Sequence, residues 1–510
     1  MAVKIILLLV FFAIMIAVGV YSRKKATNVN DFVLGGRSVG PWMTAFAFGT
    51  SYFSSVVFVG YAGQFGWKYG LASTWIGLGN AFIGSLLAWV ILGRRTRVMS
   101  QKLESATMPD FFGKRYDSKA LKLVASAICF VFLIPYTASI YNGLSRLFAM
   151  AFDIPYSACI ITMAVLTGVY VILGGYMATA INDFIQGIIM LIGIVAVIVA
   201  VLNGHGGFYE AVFQLAELES DVAVTMGQKG AFTSFFGPDV VNLIGVVVLT
   251  SLGTWGLPQM VHKFYAIKDE RAVKTGTVVS TIFAIIISGG CYFLGGFARL
   301  YADADIYKAD GSVMYDAIVP AMLSTLPDIL IGVVIVLVLS ASMSTLSSLV
   351  LTSSSTLTLD FIKGTIVKDM KEKTQLIVMR VLIAFFIILS VVIALNPPTF
   401  IAQLMGISWG ALAGAFLAPF MYGLYSKKVT KAAVWASFIV GVGLTVSNMF
   451  FKFIASTINA GAIAMVASLI VVPIVSLITP KMKQETVDEI FSCYDQKVTV
   501  TEKTSLGENA

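Results

Sequence analysis

The sequence predicts an all-α polytopic membrane protein of about thirteen transmembrane helices. Its N-terminus is expected outside, its C-terminus inside, and its core as two five-helix inverted repeats. Three observations predict this. Hydrophobic residues make up 58% of the chain and charged residues only 12%, about half the charged share of a soluble domain. Thirteen runs stay apolar for about 20 residues, the length that crosses a bilayer. Lysine and arginine crowd every second segment between those runs.

In order, the runs cover 3–22, 42–65, 71–93, 122–150, 156–174, 183–202, 240–261, 275–299, 327–358, 377–395, 400–425, 432–453 and 460–479. The first is followed by Ser22-Arg23-Lys24-Lys25 and no small-residue cleavage site, so it reads as a retained span rather than a signal peptide. The second carries Gly49-Thr50-Ser51 and Ser54-Ser55, with Gly60 and Gly63 beyond. The seventh carries Thr250-Ser251-Leu-Gly253-Thr254-Trp255-Gly256-Leu-Pro258. Such residues interrupt a helix at mid-membrane depth, which is tolerated only within protein or beside a cavity. The two interrupted runs stand five apart, the pattern of an inverted repeat with its substrate site between the halves. The first repeat then spans 41–203 and the second 240–426. Residues 1–40 form a peripheral helix and inner loop, 204–239 an outer loop, 427–480 two peripheral helices and 481–510 a poorly ordered cytoplasmic tail.

The ninth run contains Ser340-Ala-Ser-Met-Ser344-Thr345-Leu-Ser347-Ser348. On a helix, Ala341, Ser344, Thr345 and Ser348 share one face, flanked by Ser347. Lipid offers hydroxyls no partner, so this face must meet protein, water or an ion. Hard oxygens without net charge suit a small monovalent cation such as Na⁺. The competing use is hydrogen bonding between helices or back to the same backbone.

With the N-terminus outside, twenty-seven lysines and arginines fall in the inner segments and six in the outer ones. The inner set includes Arg37, Arg97, Arg115, Lys122 and Lys263. One missed span would break the alternation downstream. Two long outer loops, 203–239 and 300–326, are acidic, and their carboxylates are expected to be solvated. Arg146 and Arg380 lie near span ends and are expected to snorkel or pair locally.

Other chemistries are poorly served. The only histidines are His205 and His262, far apart, and the four cysteines at 129, 159, 291 and 493 have no metal-ligand or disulfide spacing. Gly35-Gly36-Arg37 lacks the Lys-[ST] of a phosphate loop, and no ATP-binding motif or reacting constellation appears. The net charge of +8 is spread over short loops that face an anionic membrane surface, not gathered for nucleic acid. An enzyme is therefore disfavoured, and no cofactor is expected. The absence of any Asn-X-Ser/Thr sequon fits a bacterial inner membrane.

Five motifs in order carry a family resemblance: Asp31-Phe-Val-Leu-Gly-Gly-Arg37-Ser-Val-Gly40, Tyr69-Gly70, Leu173-Gly-Gly-Tyr-Met-Ala178, Ile181-Asn-Asp183-Phe-Ile-Gln186-Gly and Met343-Ser-Thr-Leu-Ser347. Through them the chain resembles the sodium/solute symporter family along nearly all its length, nearest to its pantothenate and proline symporters. The resemblance implies a LeuT-like core. It also implies a sodium site from the carbonyls of Thr50, Phe53 and Ala341 with the hydroxyls of Ser344 and Thr345. A second sodium site, known in sialic acid symporters of the family, would use Asp183, Ser344, Ser347 and Ser348. Asp183 has another reading, as an acidic residue opening a helix. Substrate contacts are expected from Ser54, Ser55, Tyr136, Thr254 and Trp255. Leu257-Pro258, Tyr265-Ala-Ile-Lys268-Asp269 and the turn Asn396-Pro-Pro398 look pantothenate-like. Proline symporters carry aspartate at the place of Tyr52 and tryptophan at that of Thr250, which disfavours proline. Val57 replaces the glutamine of sugar symporters, which disfavours a hexose.

The function expected is sodium-coupled import of a small organic solute, a carboxylate such as pantothenate or an amino acid, by alternating access in the plasma membrane. The partners are then the solute, Na⁺ and the bilayer, with a monomer as the working unit. The alternatives are a proton-coupled porter, with Asp183 as its titrating group, an uncoupled porter or channel, and a sugar or sialic acid symporter.

Overall fold

The computed structural model describes residues 2–22, 28–152, 154–302, 306–397, 399 and 401–494. Arg23, Lys24, Lys25, Asp303, Asp305, Pro398 of the expected turn and tail residues 495–510 lie outside the described residues. Among those described the fold is all-helical, with only isolated bridges at Val39–Ile267 and Tyr307–Val313. Ten helices are long and apolar enough to cross a membrane, and the bent pair Val240–Gly256 and Pro258–Ala266 makes an eleventh.

Two of the continuous stretches are too long for one crossing. Val56–Lys102 has 47 residues and Tyr156–Gly204 has 49. A straight helix of either length would reach about 70 Å, against roughly 30 Å of hydrocarbon. Each is broken at a glycine with positive φ: Gly70 (φ 59°, ψ −139°) and Gly175 (φ 56°, ψ −150°). A side chain is strained in this conformation, and at Gly70 it would also strike the backbone of Phe232. The sixth run was expected to begin at 183. The helix instead resumes at Tyr176, so Asp183 sits about two turns inside it, fully buried, and does not open a helix.

Both expected interruptions are present. Pro41–Tyr52 stops at Phe53, whose φ of −104° and ψ of 107° are extended, and helical turns resume at Ser55. Val240–Gly256 stops at Leu257, and Pro258 opens the second half at a bend of 45°. Proline suits that place because its missing N–H would have had no helical partner. The two broken spans touch: the Tyr52 hydroxyl donates to the carbonyl of Thr250, about two turns before the second break.

Four cations counted as loop charges are buried. Arg37, Arg97, Arg115 and Lys263 are at most 2% exposed. The guanidinium's several donors explain three of them, since each satisfies carbonyls at the ends of helices. Arg37 donates to Ser105 O at 2.8 Å, Ser100 Oγ at 3.1 Å and Tyr265 O at 3.4 Å. Burial lowers its pKa to about 10, which leaves it charged at neutral pH. Arg97 donates to Ile267 O, and Arg115 to Gly423 O and Ser426 O. These bonds tie together the segments read as inner. On the opposite side Lys4 pairs with Asp328, Arg299 with Asp221, and Trp75 donates to Phe235 O. Asp221 is thus paired and Asp239 caps a helix, where solvation alone was expected.

The tail was expected to be disordered, yet Gln484–Phe491 is a helix that buries Val487, Ile490 and Phe491. Lys427 pairs with Asp488, and the Arg115 guanidinium lies 5.0 Å from the Phe491 ring centre. Apolar residues three and four apart give this short helix the face that docks.

One helix crossing is made without side chains. A Cβ at Gly66 would fall on the carbonyl of Gly295, and one at Gly295 on that of Ala62. Gly66→Ala is expected to lower stability by about 1–3 kcal/mol or more, because backbone rather than a flexible side chain must move. Thermal unfolding followed by size-exclusion chromatography measures this. An unchanged midpoint would refute the contact.

Candidate ion and solute site

The break after Tyr52 faces the helix Asp328–Thr356, whose residues from Leu337 to Thr356 are all buried. A helix that stops in mid-protein leaves its last carbonyls without intrahelical partners. The carbonyl of Thr50 is one of these. It lies 2.8 Å from Ser344 Oγ and 3.2 Å from Thr345 Oγ1. Both hydroxyls also lie 3.0 Å from the carbonyl of Ala341. Four of the five expected sodium ligands therefore form one cluster. Phe53, the fifth, is buried at the break itself, its amide donating to Gly49 O at 3.3 Å. The donor set fits a hard monovalent ion: oxygens without formal charge, from two helices, with hydroxyls that turn lone pairs inward when their protons rotate away.

The second expected set is placed differently. Ser347 Oγ donates back to Ser344 O at 2.8 Å. Ser348 Oγ lies 2.8 Å from Ser51 Oγ and accepts from Lys263 Nζ at 2.9 Å. The same ammonium stands 3.6 Å from Asp183 Oδ2, with both side chains at most 2% exposed, and 5.2 Å from the Tyr176 ring centre. Sequence reasoning missed Lys263 by assigning it to a loop. The signal was there in Pro258, which restarts a helix and carries the apolar Met260, Val261 and Phe264 around the lysine.

The expected solute residues gather near both breaks. Tyr52 stacks on Trp409 with ring centres 5.7 Å apart, and Tyr136 meets Trp409 edge-on at 5.8 Å. The Tyr136 hydroxyl lies beside the side chains of Ser54 and Trp409. The polar groups of the others hold helices together. Ser55 Oγ donates to Ile140 O at 2.9 Å and its amide to Ser342 Oγ at 3.2 Å. Thr254 Oγ1 lies 2.9 Å from the carbonyls of Gly84 and Ser251, and Trp255 Nε1 donates to Ile83 O at 3.0 Å. Trp409, which joins Tyr52 to Tyr136, gave no sequence signal, since a tryptophan in an apolar run reads as packing. On the side read as outer, a cavity of about 540 Å³ is lined by Gln64, Lys68, Asp239, Asn242 and Arg299, among others.

A sequence model described as the sodium:solute symporter family matches residues 32–441. The chain belongs to the sodium:solute symporter family. It is 31% identical over 449 residues to a sodium/proline symporter of Staphylococcus aureus, covering 86% of this chain and 84% of that protein. It is 28% identical over 447 residues to the osmoregulated proline transporter OpuE of Bacillus subtilis, covering 86% and 88%. Its fold is similar to that of a solved Na⁺-coupled sialic acid symporter, with a TM-score of 0.76 at 19% identity over 94% of this chain and 98% of the other. The nucleobase-cation-symport transporter Mhp1 shares the architecture at a TM-score of 0.53 and 13% identity, covering 90% and 98%. As a sodium:solute symporter family member the protein is a multi-pass plasma-membrane transporter, and it couples import of a small organic solute to sodium.

Proposed function

We propose that this symporter imports a small carboxylate-bearing solute with Na⁺ held by Thr50, Phe53, Ala341, Ser344 and Thr345. The observation that carries the reading is the oxygen cluster, in which carbonyls freed by a broken helix meet two hydroxyls of a second helix. Sodium in that cluster ties the two helices together and favours the outward-open state. Solute then closes the site, and inward opening separates the helices. Sodium and solute therefore raise each other's affinity, as linkage requires.

The reading includes thirteen crossings. The glycine breaks at Gly70 and Gly175 divide two long stretches in two, which raises eleven to thirteen. Charge alternation then places the N-terminus outside and the tail helix inside. The two broken spans, joined by Tyr52 and Thr250, stand at matching places in repeats 41–203 and 240–426. A single chain holds the whole site, so a monomer suffices. The cavity above Gln64 serves as the outer entrance.

The solute lies among Tyr52, Ser54, Tyr136 and Trp409, with Ser55, Thr254 and Trp255 shaping the walls. Its carboxylate faces the positive end of the half-helix that begins at Ser55. The sequence relatives are named for proline, while Tyr52 and Thr250 depart from the proline pattern, so proline and pantothenate are the two compounds to separate first. Uptake into proteoliposomes is the test, with proline, pantothenate, short monocarboxylates, sialic acid and a hexose, under a sodium gradient, a proton gradient or neither. Sodium-driven accumulation of a carboxylate is the expected result. Equal accumulation on a proton gradient alone, or equilibration without a gradient, would refute sodium coupling.

A further inference from the structure

We infer that the Lys263 ammonium is a built-in cation at the place where a second sodium would bind, so that this chain takes one Na⁺ per transport cycle. The inference rests on the sodium reading above and fixes its stoichiometry. Asp183 is the one carboxylate in the second ligand set, and it lies fully buried. Neither of its oxygens accepts a hydrogen bond within the usual distance, and the Lys263 ammonium at 3.6 Å is the charge that faces it. A buried carboxylate requires such a counter-charge.

The ammonium also takes the oxygen that a second sodium would need. Lys263 Nζ donates to Ser348 Oγ at 2.9 Å, and Ser348 Oγ is 2.8 Å from Ser51 Oγ. The Tyr176 ring, 5.2 Å from Nζ, adds its negative face to the same cation, and His262 packs edge-on against that ring at 5.4 Å. Ser344 meanwhile belongs to the first cluster, and Ser347 bonds back to its own helix. An added Na⁺ would leave one uncompensated positive charge in a low-dielectric interior, a few ångströms from an ammonium, with one oxygen of its shell already used. Lys263 and Asp183 together are neutral. Lys263 is attached to the helix that follows the break at Leu257, so this cation stays with the chain throughout the cycle.

The test is a count of bound ²²Na⁺ on the purified full-length protein in detergent, which needs no knowledge of the solute. Wild-type protein is expected to bind one Na⁺ per chain, and Ser344→Ala to bind it about 10- to 100-fold more weakly. Lys263→Gln exposes the Asp183 carboxylate and is expected to bind two. Asp183→Asn/Lys263→Gln removes both charges and is expected to return to one, which also controls for damage to the first site. Two saturable sites in wild-type protein would overturn the inference without any variant needing to fold, while leaving sodium symport standing. A count of one in folded Lys263→Gln would overturn it as well. No saturable sodium binding in wild-type protein would instead overturn the sodium reading itself, and this inference with it.

Discussion

Ser344→Ala and Thr345→Ala are each expected to raise the sodium concentration for half-maximal uptake by about 10- to 100-fold. A hydroxyl that contacts a cation contributes roughly 1.5–3 kcal/mol, and each 1.4 kcal/mol is a factor of ten. Both hydroxyls lie within 3.2 Å of the Thr50 carbonyl, so either loss removes an oxygen that joins the two helices. The effect falls on sodium dependence, not on expression, because alanine fills the same helical position without strain. Ser354→Ala is the control. Its hydroxyl only bonds back to Leu351 O at 3.1 Å, three residues away on the same helix, and its sodium activation is expected to match wild type. Sodium-activation curves for solute uptake measure all three. Unchanged curves in both cluster variants would remove Ser344 and Thr345 from the site.

Lys122→Met is expected to cost about 3–5 kcal/mol of stability, because it strands the buried Asp360 carboxylate, whereas Asp110 keeps its pair with Lys114 at 3.1 Å. Lys122 Nζ lies 2.6 Å from Asp110 Oδ1 and 3.3 Å from Asp360 Oδ1, and the Asp360 side chain is 2% exposed. Thr107 Oγ1 also donates to Asp360 at 2.5 Å, so the network joins three segments from across the sequence. Adding Asp360→Asn to Lys122→Met is expected to recover part of the loss, because the stranded charge is then gone. Thermal midpoints in nanodiscs give the comparison. A double variant no more stable than Lys122→Met alone would show that packing, not charge, sets the cost.

The Ser344 and Thr345 side of the oxygen cluster was legible in sequence because hydroxyls recur there at a helical period, while its Thr50 carbonyl came from the family resemblance and Ser348, on the same face, is instead bonded to Lys263. The breaks were legible because glycine, hydroxyls and proline in the middle of a span have few other uses. Asp183 was found as a residue but misplaced as a helix start, since nothing local distinguishes Gly175 as the true break from any other glycine in an apolar run. Lys263 and Arg37 were misread because charge near a span end is usually solvated. Only the fold shows that carbonyls of distant helix ends, or a carboxylate eighty residues away, surround them. Trp409 was silent for the opposite reason, as one more large apolar residue in an apolar chain.

The backbone contact at Gly66 and Gly295 bears on how the transporter moves. With no side chain to roll or slide between them, the outer half of the first broken helix and the segment Gly290–Gly295 are expected to travel as one body. A rocking motion is then expected to have its fulcrum at Phe53–Ser54, where the backbone leaves the helical conformation. The oxygen cluster of Thr50, Ala341, Ser344 and Thr345 sits beside that fulcrum, where the grip of the proposed ion would be exerted at the shortest lever arm and would govern the displacement of everything beyond it.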